Sequence, residues 1–355
     1  MWLDTRDDCS IAPVRDLRGF ARCEAAGPLE SGRARGGYSA LPAPSALREV
    51  SLPRLTLSIP SFGPFFPPGR LHEVVALAQQ AEAAGVDSVI VPDHVVMGER
   101  TDRYAWGPFP FPIETPWLEP LTVLAAIASA TRRLRLATGI LIAPLRPAPV
   151  LAKTAATLDV LSQGRLDLGV GVGWQKEEFD AAGLDYTRRG QLLTDTIAAC
   201  RVLWRDSPAS FESETVRFER VWCEPRPVQP GGVPVWFSGT LTRRNVERIV
   251  RLGDGWIPIM TATRDDLADG AKRLRDALAA AGRDGSGLRI RGDLGVALGD
   301  DRRPDLARTL ERAPALAEAG ATDVQLPLLA FVRRPEQLAD WFAELRERWL
   351  AQRGG

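Results

Sequence analysis

Two histidines occur in 355 residues, His72 and His94. The second stands beside an acid, in Val91-Pro92-Asp93-His94. Imidazole titrates near neutral pH, so His94 can move a proton to or from a substrate oxygen. Asp93 can orient it or cap the following turn. The plainer reading is a lone histidine hydrogen-bonded in a loop. His72 opens a surface helix and reads as structural. Further along, Gly171-Val172-Gly173-Trp174 lets backbone approach a flat ligand closely, although a tight strand-to-helix turn uses the same glycines. Ser238-Gly239-Thr240 precedes a helical stretch. Its backbone N–H groups can face a phosphate, or its hydroxyls can simply cap the helix. Arg188 and Arg189 suit an acidic ligand, but in so Arg-rich a chain they read as a solvated face. Trp106, Phe109, Phe111 and Trp117 share one long loop, residues 95–118, either as packing or as a wall for an apolar substrate.

Composition narrows the classes. Lys+Arg and Asp+Glu each number 45 and the formal net charge is zero. Nothing draws the chain to nucleic acid or an acidic membrane in general. Apolar residues at 45% and charged residues at 25% describe an ordinary globular protein. No apolar run reaches the ~18 residues of a membrane span. Asp4, Asp7 and Asp8 and the lack of an apolar stretch beside them argue against a signal peptide. Cys9, Cys23, Cys200 and Cys223 fit neither a zinc ribbon nor a CxxC pair, and with two histidines no metal site is expected. A reducing cytoplasm is the simplest compartment.

These residues need elements to position them. Residues 1–50 show no period of 2 or 3.6, and are expected to be a poorly ordered or non-native extension. A regulatory or partner-binding arm is the functional alternative. Residues 51–355 form the folded domain. Strands are expected at 54–60, 86–91, 133–142, 165–170, 234–238, 255–259, 288–298 and 322–328. Helices are expected at 70–84, 125–130, 150–161 and 188–204, with others after the later strands. A hairpin insertion spans 211–230. Glu82-Ala83-Ala84-Gly85 and Glu318-Ala319-Gly320 echo each other as helix end, glycine and strand start. Eight strand–helix units suit a closed (β/α)₈ TIM barrel, an α/β fold, better than an open sheet. No GxGxxG follows the first strand, which weakens a dinucleotide-binding reading. Barrel sites lie at the C-terminal strand ends. That criterion selects Ser61 and Phe62; Asp93 and His94; Gly139 and Ile140; Gly171, Val172, Gly173 and Trp174, then Glu177 and Glu178; and Ser238, Gly239 and Thr240.

Together these stretches resemble the luciferase-like monooxygenase superfamily, in its coenzyme F420-dependent oxidoreductase branch. The likeness is carried by Val91-Pro92-Asp93-His94, Pro116-Trp117-Leu118-Glu119-Pro120-Leu121-Thr122 and Ala137-Thr138-Gly139-Ile140-Leu141. It is strongest from Leu158-Asp159-Val160-Leu161-Ser162-Gln163-Gly164-Arg165 into Gly169-Val170-Gly171-Val172-Gly173-Trp174 and Glu177-Glu178-Phe179. The resemblance implies hydride transfer between F420 and a small organic substrate, in a homodimer. It implies a non-prolyl cis peptide at Gly139-Ile140 against the deazaflavin ring, and His94 as an active-site residue. Gly173, Trp174 and Glu177 would contact the cofactor, with Gly239 and Thr240 on its phosphate side and Ser61 and Ser238 nearby. Trp106 and Trp117 would meet substrate. One departure is Glu177, where relatives often carry an amide or small residue; a carboxylate there would repel an anionic coenzyme tail. FMN is the alternative cofactor, which would make the chain a monooxygenase. A non-catalytic binding barrel is the remaining rival.

Overall fold

The computed structural model describes residues 52–354, apart from Pro68, Met260 and Thr261. The extension expected over residues 1–50 lies outside the described residues. Eight parallel strands form the centre: β1 (Arg54–Ser58), β2 (Ser88–Val91), β3 (Arg135–Thr138), β4 (Leu166–Gly171), β5 (Val235–Ser238), β6 (Gly255–Ile257), β7 (Arg289–Asp293) and β8 (Asp323–Pro327). Each pairs with the next and β8 pairs with β1, so the sheet closes into the expected barrel.

Alternation along each strand separates two environments. Leu55, Leu57, Val89, Leu168, Val324 and Leu326 are fully buried in the apolar layer between strands and helices. The intervening residues face inward. Arg289 on β7 reaches within 3.8 Å of Asp167 on β4, three strands round the ring, a contact that crosses the barrel axis. Arg135 on β3 grips Asp167 with bonds of 2.7 and 2.8 Å, and Arg289 bonds Asp323. Burial disfavours the charge on Arg135, but Asp167 more than offsets this and holds the guanidinium above its ordinary range. The barrel base is therefore filled by ion pairs beside Trp236, where barrels usually place branched aliphatic side chains.

Helices α1 (Val74–Ala83), α2 (Pro120–Ala130), α3 (Ala148–Ser162), α4 (Lys176–Ala181), α5 (Arg189–Arg205), α6 (Arg243–Leu252) and α7 (Arg264–Ala280) follow the strands, and Leu338–Gln352 closes the chain. Helix α2 starts at Pro120, ahead of the expected residue 125. Proline at the first position needs no N–H partner, and the Glu119 side chain accepts from Thr122 N at 2.7 Å. The strand expected at 133–142 is interrupted by a cis Gly139-Ile140 peptide and resumes as Leu141–Ile142 beside β4. The strand expected at 288–298 ends at Asp293, because Gly295 turns back with positive φ and donates its N–H to Asp293. A hairpin, Ala209–Glu212 with Arg217–Val221, lies between α5 and β5 as expected. Among the described residues no helix is long and apolar enough to cross a membrane.

Candidate active site

A cavity of about 620 Å³ opens at the C-terminal ends of the strands. His94 lines it, as do Gly139, Ile140, Gly173, Trp174, Ser238, Gly239, Thr240, Trp106 and Trp117.

The partner of His94 is Glu178. Its Oε2 lies 3.2 Å from His94 Nδ1, and its Oε1 accepts from Val95 N at 2.8 Å. The Glu178 side chain is wholly buried. An ionised carboxylate only accepts, so Nδ1 carries the hydrogen and Nε2 is left for the cavity. Asp93, expected to orient His94 or cap its turn, does neither. It accepts from Ile142 N at 2.8 Å and takes Arg146 bidentately at 2.7 and 3.0 Å. Adjacent residues in extended backbone point to opposite sides, so Asp93 faces the β3 continuation while His94 faces α4. Burial disfavours the charge on Arg146, but Asp93 and then Glu119 hold it above its ordinary range. Asp93 thus positions the backbone just after the cis peptide.

Glu177 also departs from expectation. Successive residues on α4 are about 100° apart, so Glu177 and Glu178 cannot share a face. Glu177 lies outside the cavity lining, packed on Gly98 and 3.9 Å from Arg103. Ser61 is buried beneath the cavity wall. Its carbonyl accepts from Leu118 N at 3.0 Å, and its hydroxyl has no partner.

The back wall is Gly139-Ile140 against Gly171. A Cβ on Gly171 would sit 2.7 Å from Ile140 Cδ1, so only glycine lets Ile140 rest there. On the β5 side, Gly239 adopts φ +110, closed to most side chains. Its N–H is already bonded to Ile257 O at 3.0 Å, and Thr242 rather than Ser238 or Thr240 caps α6 through Asn245 N. Gly239 therefore offers no N–H to an anion, contrary to expectation.

The long loop supplies an aromatic wall. Phe62 stacks on Trp117 with centroids 4.3 Å apart, and His94 meets the Trp117 ring at 4.7 Å. Phe109 and Tyr104 lie 5.4 and 5.3 Å from Trp174. Burial raises the Tyr104 phenol above its ordinary range. The loop is fastened at both ends. Val95 N is held by Glu178 and Gly98 O by Gln175 Nε2 at 3.0 Å; Gly63 N donates to Pro116 O and Leu118 N to Ser61 O, each at 3.0 Å.

Reading by strand ends selected Glu178 without assigning it to His94, and missed Tyr104, Arg291 and Asp293. Arg291 and Asp293 line the cavity from within β7. Burial pushes the Asp293 carboxyl above its ordinary range, partly offset by the Gly295 N–H at 2.8 Å. The available signal was charge at every second position, Arg289, Arg291 and Asp293, in a strand expected to be buried.

The site thus occupies the catalytic face of a (β/α)₈ barrel. The sequence profile of the luciferase-like monooxygenases matches residues 58–348, and the chain belongs to that family of oxidoreductases. An F420-dependent hydroxymycolic acid dehydrogenase of Mycobacterium tuberculosis is 30% identical over 279 residues, 77% of this chain and 72% of that one. An uncharacterised protein of the same organism is 38% identical over 218 residues, 59% of this chain and 75% of that one. In fold, the chain is similar to monooxygenase RslO1 from Streptomyces bottropensis (TM-score 0.67, 22% identity, 84% and 99% of the two chains). It is also similar to an F420-dependent secondary alcohol dehydrogenase solved with an F420-acetone adduct (TM-score 0.64, 17% identity, 83% and 98%).

Proposed function

We propose that the protein transfers a hydride between coenzyme F420 and a small organic substrate held in this cavity. The observation that carries the reading is the His94–Glu178 pair, buried and aimed into a largely aromatic pocket opposite the Gly139-Ile140 bulge. The F420-dependent dehydrogenase that aligns with most of this chain supports the choice of cofactor.

The residues fit a flat ring. Ile140 and Gly171 make a smooth apolar wall, and Trp174 and Gly173 bound it on the β4 side. Bound F420 would supply a hydride-carrying ring carbon without readily activating oxygen, whereas FMN would permit monooxygenation. The protein supplies proton handling and exclusion of water. His94 Nε2 takes or gives the proton that accompanies hydride transfer. Glu178 fixes the imidazole with hydrogen on Nδ1. Trp106, Phe109 and Trp117 keep water from the reacting atoms. Ser238 and Thr240 are read as lining the outer part of the cofactor site. The family likeness also favours a homodimer, which sedimentation checks.

Fluorescence titration with F420 and with FMN tests the assignment. Tighter binding of F420 than FMN is expected. The reverse, with oxygen-dependent turnover, would move the protein to the monooxygenases. Binding of neither would remove the cofactor assignment.

A further inference from the structure

Most charged groups around the barrel axis have an opposite charge within ion-pair distance. Arg289 and Arg135 share Asp167 and Asp323 at the base. Asp93 has Arg146. Arg291, two residues above Arg289 on the same face of β7, has no ion pair among the described residues. It is 4% exposed, and its Nε and Nη1 are buried without a hydrogen-bond partner. Its guanidinium carbon lies 5.2 Å from the centroid of Trp236, a ring that Arg289 also covers at 4.6 Å. Burial pushes the Arg291 guanidinium down to about 10. Asp323 and Asp167 attract it only from beyond ion-pair distance, and a buried cation with unpartnered nitrogens is costly to keep. This one lines the cavity, so a ligand can supply what the protein does not.

We propose that Arg291 anchors the carboxylate of the substrate, which makes the substrate class a monocarboxylic acid with an apolar or aromatic body. The planar guanidinium presents paired donors that match a carboxylate, a geometry an ammonium group lacks. Ile257, Phe109 and Trp174, which line the same cavity, suit hydrocarbon. Asp293, next along the same face, lines the cavity too and disfavours a second anionic group. The inference rests on the reading that this cavity takes an organic substrate beside a redox cofactor. It adds the end of the molecule that the protein grips, while His94, three strands round the ring, serves the end that reacts.

The test uses the full chain, with 3-phenylpropionate as probe and 3-phenylpropanamide and 3-phenylpropanol as neutral matches. Calorimetry is run with and without F420. The carboxylate is expected to bind about tenfold or more tighter than either neutral analogue, as one charge-assisted bidentate contact implies. Arg291→Met removes that preference while F420 and FMN quenching stay within about twofold of wild type. Arg291→Lys, which keeps charge but not the fork, retains only part of the preference. Equal binding of acid and amide by the wild type overturns the proposal. So does a tenfold loss of F420 or FMN affinity in Arg291→Met, which would assign the guanidinium to the cofactor. If the wild type binds neither cofactor yet keeps an Arg291-dependent preference for the acid, the carboxylate site stands and the F420 reading falls.

Discussion

Glu178→Gln isolates the proton-handling pair. Glutamine is nearly isosteric, and its Oε1 can still accept from Val95 N, now 2.8 Å from the carboxylate. Its other end becomes an N–H₂ donor facing His94 Nδ1, where Glu178 Oε2 accepts at 3.2 Å. Two donors cannot face each other, so the neutral imidazole must move its hydrogen from Nδ1 to Nε2. The cavity then meets a donor where it met an acceptor. Losing one charge-assisted bond costs about 1.5–3 kcal/mol. At ~2.1 cal/mol/K of unfolding entropy per residue, a domain of roughly 300 residues loses about 2–5 °C in Tm. Turnover in the direction that needs His94 as a base should fall by ~10²–10⁴, the usual worth of a positioned proton acceptor. The tautomer itself can be read by NMR of protein labelled with ¹⁵N-histidine, because His72 is the only other histidine and serves as an internal control. Wild type should show hydrogen on Nδ1 and a bare Nε2, and Glu178→Gln the opposite. A variant whose Nδ1 keeps its hydrogen would refute the reasoning, whatever its activity.

Three further outcomes are expected. Asp93→Asn leaves Arg146 buried with only the half-exposed Glu119, and should lower stability by about 3–5 kcal/mol in denaturant melts, as for other broken buried pairs; an Asp93→Asn/Arg146→Met double variant should recover part of that loss. Gly171→Ala drives a methyl into Ile140, and should weaken F420 binding with a stability cost of ~1–3 kcal/mol, read by quenching and by Tm. Glu119→Ala removes the α2 cap and costs about 1 kcal/mol at neutral pH. Burial opposes ionisation of Glu119, but the Thr122 N–H, Arg146 and the Thr122 hydroxyl together hold its carboxyl below the usual range. Its contribution is therefore complete above the ordinary glutamate pKa and lost as pH falls through the lower folded value, so the Tm gap between wild type and variant should close on acidification.

The barrel was legible because its strands are short buried runs at regular spacing, and β2, β4, β5 and β8 lie within or one residue beyond the expected ranges. Boundaries failed where one residue decided them. Pro120 looks like a loop residue until Glu119 is seen capping it, and Gly295 looks like strand until its φ is known. His94 was legible as the one histidine at a strand end. Its partner was not: Asp93, next in the chain, was read as orienting it, and only the side that each carboxylate faces gives the role to Glu178. Arg291 stayed hidden for a different reason. A search confined to strand ends passes over a residue inside the barrel, and nothing local to Arg291 tells that Asp167 and Asp323 are already taken by its neighbours.

The fastening of the aromatic loop bears on how this scaffold can diversify. Its first residues are tied to Glu178 and Gln175, and its last to the backbone around Ser61 and Gly63. The stretch between those ties carries Tyr104, Trp106, Phe109 and Phe111 and shares no strand pairing with the barrel. It behaves as a cassette. Exchange of residues 99–114 can recut the pocket for molecules of new shape, while the histidine, its carboxylate and the cis-peptide wall keep their places.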